Sequence, residues 1–252
     1  MKYIETNQDR TAEYLKIFNR EKTIKHLIQE NAPIIFDVGA NNGSSAKEFK
    51  GWWPDAKIHC FEPQEECWND LDNLEKKNND KSIILNKVAV GNNPTNAAIF
   101  YSHDITTGQS GFNKINAEST DSIYLNKLKG KKDITAVQNY NDSLNHERLV
   151  DIIRPDDYMG QNNINKVDIL KIDTQGYEPE VLDGFGERLS DIDVVITELM
   201  FYDYYERSLS FTDIEKYLLP AGFQLYDISH ISKNPMNGRT DWVDVIYFKN
   251  QN

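Results

Sequence analysis

The chain opens on a helical rhythm. Tyr14, Ile17, Phe18, Ile24, Leu27 and Ile28 recur at steps of three and four, which predicts a helical segment over residues 1–32. The rhythm then changes. Ile34 to Val38 is a short apolar run rich in β-branched residues and stopped by Gly39, the pattern of a buried strand. A helix over Ser44 to Lys50 follows, then a strand over Lys57 to Phe61 that stops at Glu62-Pro63. Glu65 to Lys77 is helical, with Trp68, Leu71 and Leu74 on one face, and Ser82 to Val90 is a third strand ending at Gly91. Strand and helix in alternation predict a parallel sheet with right-handed crossovers.

The alternation weakens between Asn92 and Asn165. Ala97 to Tyr101 and Arg148 to Ile153 have the pattern of edge strands. The polar stretch between them, at about 102–146, has the composition of an insertion or lid within a domain spanning 33–252. Regularity returns with a strand over Val167 to Ile172, a helix through Glu180 to Leu182, and a strand over Asp193 to Thr197. Thr212 to Glu215 has capping-box form and opens a helix that closes at Pro220-Ala221-Gly222. Phe223 to Ile228 and Trp242 to Phe248, joined by a turn-rich segment, predict an antiparallel pair. The expected architecture is an α/β fold with a mostly parallel sheet of about seven strands and a C-terminal hairpin.

Composition narrows the chemistry. The 252 residues carry 28 Lys and Arg against 40 Asp and Glu, a formal charge of −12. That balance argues against nucleic acid and anionic membrane surfaces as partners, because both demand a positive field. The basic cluster at Lys127, Lys129, Lys131 and Lys132 is the local exception. No apolar run approaches the roughly 20 residues of a membrane span. The polar start, Met1 to Arg10, is unlike a secretory signal, and two cysteines, Cys60 and Cys67, make no disulfide framework. A cytoplasmic location is the expectation.

The strongest local signal is Asp37-Val38-Gly39-Ala40-Asn41-Asn42-Gly43-Ser44, set between a strand and a helix. An open α/β sheet binds ligands there. Gly39 and Gly43 let backbone approach a ligand, and the helix start attracts negative charge. The dinucleotide pattern G-x-G-x-x-G fails at Asn41 and Ser44, and the Walker lysine is missing. Glu62, ending the next strand, can accept both hydroxyls of a ribose. Turn and acid together suggest an adenosine-containing cofactor, with Val88 and Ala89 flanking the base.

These pieces resemble the FkbM family of S-adenosylmethionine-dependent methyltransferases. The matching stretches are Ile35 to Ser44 (IFDVGANNGS), Cys60 to Pro63 (CFEP), Val88 to Gly91 (VAVG) and Asp168 to Glu178 (DILKIDTQGYE). Val181 to Gly184, Gly222-Phe223 and Val243 to Val245 follow in order. Ile153 to Asp156 departs from the Thr-Leu-Asp run usual there, keeping only Asp156. The resemblance implies a Rossmann-like class I methyltransferase fold and methyl transfer, usually to a hydroxyl oxygen, with many relatives tied to sugars of bacterial glycans or to natural products. It implies cofactor contacts from Asp37, Gly39, Ala40, Asn41, Gly43, Glu62, Pro63, Val88, Ala89 and Asp173. Gln109 and Ser110 match a small polar segment that approaches the cofactor in the family.

The acceptor side rests on chemistry. A hydroxyl is a poor nucleophile and needs a base or a metal to help its proton leave. Asp173, Glu198, His230 and Lys171 are the candidates for catalysis. Lys171 lies two residues before Asp173 and shares its strand face. Glu178 opens the following helix; with Tyr202 and Tyr205 it is a candidate acceptor contact, since rings with polar tips suit a sugar face. Asp173 and Glu198 can hold a divalent cation between them, though two acids alone do not make a metal site. The leading expectation is an O-methyltransferase acting on a sugar or nucleotide-activated sugar in surface-glycan assembly, with a homodimer possible. An NAD-dependent oxidoreductase and a non-catalytic adenosine-binding protein are the alternatives.

Overall fold

The computed structural model describes residues 6–78, 81–104, 106–123 and 141–249. The basic cluster Lys127 to Lys132 lies outside these residues. In chain order the elements are helices α1 (Asn7–Ile17) and α2 (Arg20–Leu27), strand β1 (Ile34–Val38), α3 (Ser44–Trp52), β2 (Lys57–Phe61), α4 (Glu65–Asn78), β3 (Ile83–Asn86), β4 (Ala89–Val90) and β5 (Thr95–Ser102). After a 3-10 turn at Thr107–Gln109 come β6 (His146–Ile153), α5 (Pro155–Gln161), β7 (Val167–Ile172), α6 (Glu178–Phe185), β8 (Ile192–Met200), α7 (Phe211–Leu218), β9 (Phe223–Lys233) and β10 (Thr240–Lys249).

The main sheet has seven strands in the order β3-β2-β1-β7-β8-β10-β9. Its first five strands are parallel, and β10 runs antiparallel to both β8 and β9. This is the expected α/β architecture, a mostly parallel seven-stranded sheet with a C-terminal antiparallel pair. The chain builds outward from β1 through β2 to β3, then returns to β7 on the other flank of β1. Connections therefore diverge above the carboxyl ends of β1 and β7, which opens a crevice there. β7 is buried at every residue, as a central strand covered on both faces must be.

Alternation along the strands feeds two cores. Phe36, Val38, Leu170 and Ile172 pack under α5, α6 and α7 through Met159, Val181, Leu182, Phe185 and Ile214. Ile35, Ile58, Ile169 and Ile196 pack under α2, α3 and α4 through Ile24, Phe49 and Leu71. Trp53 belongs to the second core, so it anchors the end of α3.

Several boundaries differ from the sequence reading. The first helix is two, because the Asn19 side chain accepts from the Lys22 N–H and starts a new helix. The stretch Ser82 to Val90 splits: β3 stays in the main sheet, while β4 joins β6 and β5 in a second, three-stranded sheet. The two supposed edge strands are thus neighbours, with β6 in the centre. Glu198 lies within β8, and His230 within β9, rather than beyond strand ends. The capping box of α7 is Ser210 with Asp213, two residues earlier than expected. The helix starts are moved by caps within three residues, and the strand borders by longer-range pairing.

His59 is buried on β2, with Nδ1 2.7 Å from the Tyr158 hydroxyl. Burial lowers its pKa to about 4. The unfolded chain takes up this proton near 6.5, so between those values the unfolded state binds more protons and stability falls as pH drops. His59→Asn should therefore lose less stability than wild type between pH 6.5 and 4, by up to roughly 3 kcal/mol. Urea midpoints at both ends of that range measure this; parallel losses in the two proteins would contradict it.

Candidate active site

The sharp turn after β1 is built on three residues of positive φ, Gly39, Asn41 and Gly43. Gly39 has φ 76°, and a Cβ there would stand 1.9 Å from the Asp173 carbonyl oxygen. Only glycine lets β1 and β7 approach so closely at their ends. Asn41 has φ 47° at the position where a dinucleotide turn carries its second glycine. Asparagine tolerates that region, so the missing glycine is no obstacle to the turn. Gly43 is the N-cap of α3, packed so that a Cβ would meet Leu74 and Leu71 at 2.4 and 2.9 Å.

A cavity opens directly above this turn. It encloses about 590 Å³ of space, part of it open to solvent. Gly39, Asn41, Glu62, Pro63, Ala89, Ser110 and Asp173 line it, together with Gln64, Phe100, Phe112, Thr107, Gly108 and Gln175. Glu62 is nearly inaccessible to solvent. Its Oε2 accepts from the Asn41 N–H at 2.7 Å, and its Oε1 from the Gln64 N–H at 2.9 Å. Burial pushes its carboxyl upward, and those hydrogen bonds partly offset the shift. The Ser110 hydroxyl is buried and has no hydrogen-bond partner among the described residues.

Other expected cofactor residues lie beneath or behind the cavity. Asp37 is wholly buried and faces the Lys171 ammonium at 3.1 Å. Ala40 belongs to the core under α2 to α4, and Val88 packs on the opposite core. Lys171 also donates to the Gly39 carbonyl at 3.0 Å and lies 3.6 Å from Asp173. Burial alone would lower its ammonium, but the Asp37 and Asp173 carboxylates outweigh that and hold it high. Lys171 is thus a strut beneath the turn, charged and fully engaged.

Of the residues expected on the acceptor side, Asp173 lines the cavity and Glu198 sits on the neighbouring strand, one step past the Ile172–Thr197 pair. Glu198 pairs in register with Asp244, and Asp244 with His230. His230 is therefore two strands away from Glu198, exposed, with its ring stacked on Trp242 at 4.7 Å. Burial, then the charges of Asp173, Glu178 and Asp244, push the Glu198 carboxyl well above the usual range. Glu178 is buried, and its Oε1 accepts from the Thr174 N–H, the Thr174 hydroxyl and the Gly176 N–H. It holds the loop after β7 and does not line the cavity. Burial raises its pKa to about 7. Among the described residues, no group of three or more His, Cys, Asp or Glu is placed to hold a metal ion.

Tyr205 is buried rather than offered to a ligand, and Tyr202 stacks on Tyr204. The stretch after Thr107 packs against these rings: Ile115 bridges to Tyr205, and Asp121 pairs with Arg239 of the β9–β10 turn. Gln64, Thr107 and Gln175 escaped the sequence reading. Gln175 had a signal, since it stands inside the motif around Asp173, but its side-chain direction depends on a left-handed φ of 55°.

The model of the methyltransferase FkbM domain matches residues 37–225. The chain belongs to that family. A similar relative of this FkbM-family chain is 2-O-methyltransferase NoeI of Sinorhizobium fredii, 24% identical over 197 residues, covering 75% of this chain and 72% of that one. Methyltransferase sdnD of Sordaria araneosa is 26% identical over 163 residues, covering 62% and 61%. In the crystal structure of methyltransferase FkbM from Methylobacillus flagellatus, the match has a TM-score of 0.53 at 15% identity. It covers 94% of this chain and 50% of that one, so this chain spans about half that protein's length. No helix among the described residues is long and apolar enough to cross a membrane.

Proposed function

We propose that this chain is an S-adenosylmethionine-dependent O-methyltransferase whose acceptor is a sugar hydroxyl. The observation that carries the reading is Glu62: a buried carboxylate lining a cavity above the β1 turn, already oriented by two backbone N–H groups. Oε2 keeps a free lone pair for a ribose hydroxyl, while Oε1 also accepts from the Gln64 side-chain amide at 3.2 Å, a bond that a second ribose hydroxyl would replace. The rest of the cavity fits the same group. Phe100, Phe112, Ala89 and Val90 offer apolar walls for a flat base, and the unpartnered Ser110 hydroxyl offers a polar contact. When bound, the cofactor supplies an activated methyl group. Asp173 orients the acceptor edge of the cavity, and Glu198 takes the acceptor hydroxyl proton on a carboxylate oxygen.

Oxygen as the acceptor atom is supported by the name of the relative NoeI, a 2-O-methyltransferase. A neutral sugar is favoured over a nucleotide-activated one. Arg207 is paired with Glu180 at 2.7 Å, Arg239 with Asp121, and Lys171 with Asp37, so these cations are engaged, while the acceptor edge carries Asp173 and Glu198. The reading includes a helical extension at 1–32, a domain at 33–252 with a lid at about 102–146, and a cytoplasmic role in bacterial surface-glycan assembly.

Calorimetric titration with S-adenosylhomocysteine and with NAD tests the cofactor. Binding of the first and not the second is expected; the reverse would make the chain an oxidoreductase. Glu62→Ala should weaken S-adenosylhomocysteine binding by about 1–3 kcal/mol, through loss of hydrogen bonds to a charged group. Unchanged affinity would remove the ribose assignment. A screen of sugar acceptors with labelled S-adenosylmethionine identifies the alcohol.

A further inference from the structure

Tyr205 touches both sides of the cavity from below. Its hydroxyl lies 3.0 Å from the Gln109 carbonyl oxygen and 2.7 Å from Gln175 Oε1. Gln109 ends the single turn that covers the cavity. That turn is fastened by the Thr107 hydroxyl to Asn41 Oδ1 at 2.8 Å and by Gln64 Nε2 to the Thr107 carbonyl at 3.1 Å. On the other side, Gln175 Nε2 donates to Asp173 Oδ1 at 2.7 Å and lies 3.3 Å from Glu198 Oε2. Rotating this amide by half a turn would aim its carbonyl oxygen at two carboxylates, so charge decides its orientation. Gln175 also holds a left-handed φ of 55°, a conformation unfavourable for a residue with a Cβ.

The Tyr205 hydroxyl carries one proton and faces two acceptors. Donation to Gln175 fixes the amide with its N–H groups on the carboxylates. Donation to Gln109 fastens the turn and leaves the Gln175 oxygen without its donor. We propose that Tyr205 is a positioning residue that couples the turn over the cofactor cavity to Asp173 and Glu198 through Gln175. The coupling rests on the methyltransferase reading above. A cofactor seated under the turn then biases the orientation of the acceptor-side carboxylates, and by reciprocity the acceptor side biases cofactor affinity.

Tyr205→Phe keeps the ring and removes only the hydroxyl. Its dissociation constant for S-adenosylhomocysteine should rise about 3- to 10-fold, the range for one lost hydrogen bond. Hydrogen exchange at the Ser110 and Gly111 amides should quicken in the same variant. Gln175→Leu breaks the link from the other side and should weaken binding by a similar factor. The double variant should be no weaker than either single one, because both remove one unit. Wild-type affinity and exchange in Tyr205→Phe, or fully additive losses, overturn the coupling. A lowered melting temperature with unchanged affinity overturns it too, since that is a purely structural role. Glu62→Ala separates the two levels of inference. If wild type binds no S-adenosylhomocysteine, the methyltransferase reading fails and the coupling with it. If Glu62→Ala weakens binding and Tyr205→Phe and Gln175→Leu do not, only the coupling fails.

Discussion

Glu198→Gln is expected to slow methyl transfer by about 10²- to 10⁴-fold, the usual worth of a positioned general base. Glutamine keeps the shape and loses the proton acceptor, so S-adenosylhomocysteine should bind nearly as in wild type. The pH profile adds a second check. Burial and the neighbouring charges of Asp173, Glu178 and Asp244 hold the Glu198 carboxyl well above the ordinary carboxylate range. A base works in its ionised form, so turnover should rise with pH, and the rise should be centred above that ordinary range. Steady-state rates against pH, with the acceptor found by the screen, measure both effects. Full turnover in Glu198→Gln would show that another group receives the proton.

Lys171→Met should destabilise the fold by about 3–5 kcal/mol, the cost of breaking a buried ion pair from one side. The reason is Asp37. Its carboxylate is inaccessible to solvent and faces the Lys171 ammonium at 3.1 Å. Without that charge it must ionise unpaired in the core or take up a proton. The second course makes the loss depend on pH: the variant should regain stability as pH falls and Asp37 is protonated. Asp37→Asn combined with Lys171→Met should recover part of the loss, because no bare charge remains. Denaturant unfolding of the three proteins at neutral and acidic pH tests this. A stable Lys171→Met would mean that water reaches Asp37.

The two predictions separate residues that the motif presents together. Lys171 and Asp173 stand two apart on one strand face, and both are polar residues near a strand end. One is sealed beneath the turn by contact with Gly39, the other lies at the cavity wall. Sequence spacing places both on the same face but does not say how deep each lies. Depth is set by β1 crossing beside β7, at a distance only glycine at position 39 permits.

Local pattern sufficed for the parallel strands, the βα alternation, the terminal hairpin and the turn from Asp37 to Ser44. Periodicity and turn chemistry are properties of neighbouring residues, so they can be read without knowing what packs against them. Tertiary structure alone decided that β4, β5 and β6 form a second sheet and that the Thr107–Gln109 turn covers the cavity. It also turned Glu178 inward to hold its own loop and buried Tyr205 between Gln109 and Gln175. Each of these depends on contacts between residues distant in the chain, and whether a polar side chain faces a ligand or a buried partner is settled by what the fold brings within hydrogen-bonding reach.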